Sequence, residues 1–160
     1  MKKVIFPGTF DPPTLGHLDI VQRAAQIFDH VYLAIGFNSL KNAPFFTLEE
    51  RIEQLKIITK SIPNVEVVIF KGLLVDFAQK LGVNAILRAV RSASDFEYEN
   101  MQAQMNRHLA NIETLYMVAD ERYRYISSSL IREIASYGKR LEAFIPLEIE
   151  QAVFEKLSIK

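Results

Sequence analysis

A chain of 160 residues, 49% hydrophobic and 24% charged, has the length and balance of one folded domain and excludes a disordered polymer. Lysine plus arginine and aspartate plus glutamate both number 19, so no overall basic field recruits nucleic acid or an anionic membrane. Cysteine is absent, which removes disulfides and thiolate chemistry, and no apolar stretch approaches the ~18 residues of a membrane span.

The first apolar run, Lys3–Phe6, reads as a short strand stopped at Pro7-Gly8, too soon for the core of a signal peptide, so the cytoplasm is the expected location. The chain leaves it through "GTFDPPTLGH". Gly8 lets the backbone approach a ligand, and Thr9 offers a hydroxyl and an amide. Gly16-His17 then opens a helix, Gly16–Phe28, with Leu18, Ile20, Val21, Ala24, Ala25 and Phe28 on its inner face. The free amides and positive dipole end of such a helix attract phosphate, and His17 stands where a ring N–H can reach a phosphoryl oxygen. The plainer alternative is a tight turn with a histidine that only caps the helix.

Val31–Ile35 is the second strand, followed by a polar loop that carries Lys41. Thr47 and Glu50 have capping-box spacing and start a helix, Leu48–Lys60. Val65–Phe70 is the third strand, and Leu73–Leu81 a helix ended by Gly82. The fourth strand, Ala85–Ala89, ends in Arg88 and Arg91, three residues apart, either a phosphate clamp or two solvated side chains. Asp95 caps a long helix to Leu109, whose stripe of Phe96, Met101, Met105 and Leu109 reads as core. Glu99 near its start faces a ligand or solvent. His30 and His108 read as surface residues, and no His/Asp/Glu cluster has metal-ligand spacing. Thr114–Val118 is the fifth strand. After the loop at 120–125, Ser127-Ser128-Ser129 brings hydroxyls and amides to the start of helix Ser128–Tyr137, with Ser127 as its N-cap. Gly138 stops that helix, and Pro146 starts a last one to Leu157.

Five strands, each followed by a helix, imply one doubly wound α/β domain over residues 1–160, with a five-stranded parallel sheet covered on both faces. In that architecture ligands bind outside the carboxyl ends of the strands, where the residues just singled out converge. Neither GxxxxGK[ST] nor GxGxxG occurs.

"GTFDPPTLGH", with Thr14-Leu15-Gly16-His17, resembles the T/H-x-G-H signature of a superfamily of nucleotidyltransferases with a Rossmann-like fold, and "ISSSLIR" resembles their second element. More narrowly, "FPGTFDPPTLGHLDIVQRA", "FTLEER", "SDFEYE", "MNRHL" and "ISSSL" stand in the order and spacing of bacterial phosphopantetheine adenylyltransferases, across essentially the whole chain. The resemblance implies transfer of the adenylyl group of ATP to 4'-phosphopantetheine, giving dephospho-coenzyme A and pyrophosphate, with Mg2+ delivered on ATP and a homohexamer as the assembly. It implies a catalytic set of Thr9, His17, Lys41, Arg91 and Ser128. It places Thr9, Lys41, Leu74 and Arg88 on phosphopantetheine. The ATP site would hold Thr9, Phe10, His17, Ala89, Val90, Arg91 and Glu99, then Tyr123, Arg124, Tyr125, Ile126, Ser127, Ser128 and Ser129. One departure matters: the usual Arg-Gly-x-Arg is here Arg88-Ala89-Val90-Arg91, so a methyl limits backbone approach at Ala89. Related adenylyltransferases and cytidylyltransferases of that fold usually carry histidine at Thr14 and lack "SDFEYE".

Overall fold

The computed structural model describes residues 1–37 and 44–158. Strands β1 (Lys3–Gly8), β2 (His30–Phe37), β3 (Val65–Lys71), β4 (Ala85–Val90) and β5 (Glu113–Val118) alternate with helices along the chain. The helices are α1 (Leu15–Ile27), α2 (Leu48–Thr59), α3 (Leu74–Leu81), α4 (Ala93–Ala110), α5 (Ser128–Ser136) and α6 (Leu147–Ser158). Every adjacent strand pair is parallel, in the order β3-β2-β1-β4-β5. The winding reverses between β1 and β4, so a crevice opens past the ends of these two strands.

The two-residue period of a strand sorts the core. Val4, Phe6, Leu33, Ile35 and Leu87 point to one face, which is covered by α1, α2, α5 and α6. Ile5, Ala34 and Ile86 point to the other, which packs on Val75 and Ala78 of α3. The central strands are apolar on both sides for this reason. The edge strands β3 and β5 are covered less completely and alternate between half-buried and exposed residues.

Helix starts follow local chemistry. Thr14, Thr47, Ser92 and Ser127 each accept a first-turn amide in their side-chain oxygen. The long helix therefore begins at Ala93 behind Ser92, and Asp95 sits inside its first turn instead of capping it. Gly82 closes α3 in the left-handed region, φ 62°, which costs an L side chain strain and glycine none.

The core reading of the α4 stripe is overturned. No residue of α4 is buried, and Phe96, Met101, Met105 and Leu109 are 45–63% exposed. The helix lies against β4, β5 and α3 at the border of the sheet, and its apolar stripe is left exposed. Among the described residues no helix is long and apolar enough to cross a membrane.

Candidate active site

Two cavities open at the crevice and share a wall made of Pro7, Gly8, Thr9, Arg88 and Glu99. The larger, of roughly 890 Å³, runs from this wall between α3 and the outer face of α4, past Leu74, Met105 and Leu109. The other, of roughly 620 Å³, is bounded by the amino ends of α1 and α5 and by Ala89 and Arg91.

The loop after β1 is built around an aspartate. Asp11 is buried, and its two carboxylate oxygens accept the amides of Phe45 and Phe46 at 2.9 and 2.8 Å. Its own carbonyl accepts an N–H from Arg132. Arg51 donates to the Thr9 carbonyl at 2.9 Å, and the Ser128 hydroxyl donates to the Pro12 carbonyl at 2.8 Å. The segment before α2, α2 itself and α5 thus hold six residues of loop, which bend through Phe10 in the left-handed region at φ 50°. Phe10 is buried, its ring edge-on to those of Phe6 and His17, with centroids 5.8 and 5.0 Å away. A Cβ on Gly8 would stand 2.8 Å from that ring, so the glycine makes room for Phe10 as well as for a ligand.

His17 completes a capping box with Thr14. The Thr14 hydroxyl oxygen accepts the His17 amide at 3.2 Å, and His17 Nδ1 accepts the Thr14 amide at 3.0 Å. An Nδ1 that accepts leaves the proton of the neutral ring on Nε2, the nitrogen free for a ligand. Burial, and secondly the positive charge of Arg91, lower the ring's pKa from 6.5 to about 4. The imidazole is therefore neutral at physiological pH and keeps its Nε2–H donor. The helix-cap and ligand roles weighed in the sequence are compatible, since they use different nitrogens.

Amide accounting locates the anion donors. In the first turn of α1, Leu15 N–H goes to Phe144 O, His17 N–H to the Thr14 hydroxyl and Leu18 N–H to Thr14 O. Among the described residues this leaves Gly16 N–H without an acceptor, in the cavity wall and without a side chain over it. In α5 the Leu130 amide is capped by Ser127, and among the described residues the amides of Ser128 and Ser129, which line the same cavity, have no acceptor. The Ser128 hydroxyl is spent on Pro12.

Both arginines of β4 are held by α4. Arg88 grips both oxygens of Glu99 at 2.6 and 2.7 Å, and Arg91 meets Asp95 at 3.1 Å while donating to Ile126 O. Each is one half of an ion pair, Arg88 mostly buried and Arg91 partly exposed to solvent.

The second cavity brings together Thr9, Phe10, His17, Ala89, Arg91 and Glu99 with Tyr123, Ile126 and the three serines. The first takes Thr9, Leu74 and Arg88. Val90, Arg124 and Tyr125 line neither: Val90 is buried at the end of β4 and Tyr125 is exposed. Lys41 lies outside the described residues. Asp11, Arg51, Arg132 and Asp95 sit inside the quoted motifs yet carried no site role, Asp95 having been read only as a helix cap. The available signal was that a charged residue inside an apolar, turn-rich motif must find a partner if it is buried.

Residues 5–134 match the cytidylyltransferase-like family. The chain is 47% identical to a phosphopantetheine adenylyltransferase of Lachnoclostridium phytofermentans, over 100% of this chain and 98% of that one. It is 45% identical to the phosphopantetheine adenylyltransferase of Caldanaerobacter subterraneus subsp. tengcongensis, over 98% of each, and 42% identical to that of Desulforudis audaxviator, over 100% and 98%. A crystal structure from Vibrio parahaemolyticus, assigned as a nicotinate-nucleotide adenylyltransferase, superposes with a TM-score of 0.67 at 20% identity, covering 98% of this chain and 95% of that one. That likeness shows the shared fold.

Proposed function

The chain belongs to the phosphopantetheine adenylyltransferase family, and we propose that its two joined cavities divide the substrates of that reaction between them. The enzyme transfers the adenylyl group of ATP to 4'-phosphopantetheine, forming dephospho-coenzyme A and pyrophosphate in coenzyme A synthesis. ATP takes the cavity between the amino ends of α1 and α5. Phosphopantetheine takes the larger cavity, its phosphate at Arg88 and its arm along Leu74, Met105 and Leu109; a role for Lys41 rests on the family resemblance alone. The observation that carries this division is the common wall: Thr9, Arg88 and Glu99 belong to both cavities, so an acceptor phosphate in one meets the α-phosphorus of ATP in the other.

The chemistry is in-line displacement without a covalent intermediate. The acceptor phosphate is already ionised and needs no general base, so the protein's work is to position and to stabilise charge. His17 Nε2–H and the Gly16 amide donate to the α-phosphoryl oxygens, and the Ser128 and Ser129 amides hold the outgoing pyrophosphate. Arg91 adds positive charge beside them.

Among the described residues no three His, Cys, Asp or Glu side chains could hold a metal, and the nearby carboxylates of Asp11, Asp95 and Glu99 are occupied by amides or arginines. Mg2+ is accordingly assigned to the phosphates of ATP. The exposed apolar face of α4 supports self-association, a homohexamer on the family resemblance, and use of ATP supports a cytoplasmic location.

Titration calorimetry tests the division. Arg88→Ala should weaken phosphopantetheine more than ATP, and Arg91→Ala the reverse; the opposite pattern in either variant would overturn it.

A further inference from the structure

The last helix, α6, reaches the loop after β1 from outside the crevice. Val153 and Leu157 are buried and seat the helix on the core, and Lys156 beside them turns to the start of α2. Its ammonium donates to Glu50 Oε2 and stands 5.1 Å from the ring centre of Phe46 and 5.9 Å from that of Phe45. The same Glu50 oxygen accepts the Thr47 amide at 2.8 Å, which closes the capping box of α2. One cation thus joins a carboxylate and two aromatic faces, all at the entry of α2. Lys156 itself lies in neither cavity wall.

An exposed ion pair adds little by itself, and these two side chains are 35% and 39% exposed. What matters is the stretch that Lys156 clamps. The amides of Phe45 and Phe46 hold the two oxygens of Asp11, and Arg51, next to Glu50, donates to Thr9 O. On the loop held in this way stand Thr9, which belongs to both cavity walls, and Phe10, whose ring backs that of His17.

From this geometry we infer that Lys156 is a positioning residue for adenylyl transfer: by clamping the entry of α2 from α6, it fixes the loop that places Thr9 and His17 at the α-phosphate. The inference rests on the reading that these two groups meet ATP. A loosened clamp shifts groups whose alignment matters most in the transition state, so turnover suffers before substrate binding does.

The test compares wild type with Lys156→Met, Lys156→Arg, Glu50→Gln and the double variant of Lys156→Met with Glu50→Gln. Methionine keeps an unbranched stem without the charge, and glutamine keeps a capping-box side chain without the charge. Lys156→Met should lose about tenfold in kcat, below the roughly hundredfold that a displacement of about 1 Å can cost. KM for ATP and for phosphopantetheine should stay within about twofold, and the melting temperature within about 4 °C. Hydrogen exchange at the Phe45 and Phe46 amides should quicken about fivefold while the amides of β1 keep their rates. Lys156→Arg should restore most of the turnover, since a guanidinium also pairs with a carboxylate and stacks on rings. Glu50→Gln should lose turnover as well, and the double variant should fall no more than about twofold below the worse single one. Turnover of Lys156→Met within about twofold of wild type, a loss confined to KM, faster exchange everywhere alike, or fully additive losses would overturn the inference. Glu50→Gln decides from the α2 side if Lys156→Met folds poorly. A wild type that released no pyrophosphate with phosphopantetheine would overturn the proposed function, while the exchange rates would still decide the clamp.

Discussion

His17 does two jobs with two nitrogens, and each has a separate readout. Nδ1 belongs to the capping box, and Nε2 is left for the ligand. Removing one preorganised donor to a charge that grows in the transition state typically costs about 3–4 kcal/mol, so His17→Ala should lose roughly a hundred- to a thousandfold in turnover. ATP affinity should largely survive, and circular dichroism should report an intact fold; normal turnover would reduce His17 to a cap. The lowered pKa also makes stability depend on pH. Between 6.5 and about 4 the unfolded chain takes up a proton that the folded ring refuses. The stability held by neutral His17 is thus complete above about pH 6.5 and lost as pH falls through about 4. Melting curves of wild type and His17→Gln should accordingly draw together between pH 7 and pH 4.5, and a constant gap would contradict the assignment. The place of His17 at the start of α1 and in a cavity wall was legible from the whole "GTFDPPTLGH" string, where Gly-His alone would have read as a cap. The tautomer was not, since it depends on a hydrogen bond that only the folded turn makes.

At the scale of elements, the amino end of α1 is tuned so that one amide is left over. A Cβ on Gly16 would meet Thr14 Oγ1 at 3.5 Å and Tyr123 Cβ at 3.6 Å, ordinary contacts that the fold tolerates. Gly16→Ala should therefore melt within a few degrees of wild type yet lose ATP binding and turnover, because the methyl enters the cavity. If that variant were fully active, the amide would not be a ligand donor. The loop before α1 shows the opposite balance. Asp11→Ala leaves the Phe45 and Phe46 amides without their acceptor and removes the carboxylate 3.6 Å from Arg132, and hydrogen bonds to a charged group are each worth about 1.5–3 kcal/mol, so a loss of at least about 2 kcal/mol should appear in denaturant unfolding. Most element positions were legible, because apolar runs, caps and glycine stops are local signals. Two features were not local. Ser92 outcompeted Asp95 as a cap, and the apolar stripe of α4 gave a helix its face without saying what would cover it.

Over the whole molecule, the alternation of strand and helix was enough to imply a parallel doubly wound sheet. The order β3-β2-β1-β4-β5 then explains why residues from far along the chain meet past β1 and β4. The outer surface of α4 is exposed and apolar, and the self-association proposed above would use it. Met101 is 63% exposed and lies in neither cavity wall. Met101→Glu should therefore reduce the mass measured by light scattering while leaving the affinity for ATP in place, and an unchanged mass would remove this face from the assembly.

The division of the crevice between ATP and phosphopantetheine is tested most directly by pyrophosphate release from ATP and magnesium with each of two acceptors. Thr14 in place of histidine and the "SDFEYE" segment are what the chain shares with the phosphopantetheine family it resembles. Release should be far faster with phosphopantetheine than with nicotinate mononucleotide, at least about a hundredfold in kcat/KM. Equal or faster release with nicotinate mononucleotide would contradict the assignment of the larger cavity while leaving the fold untouched.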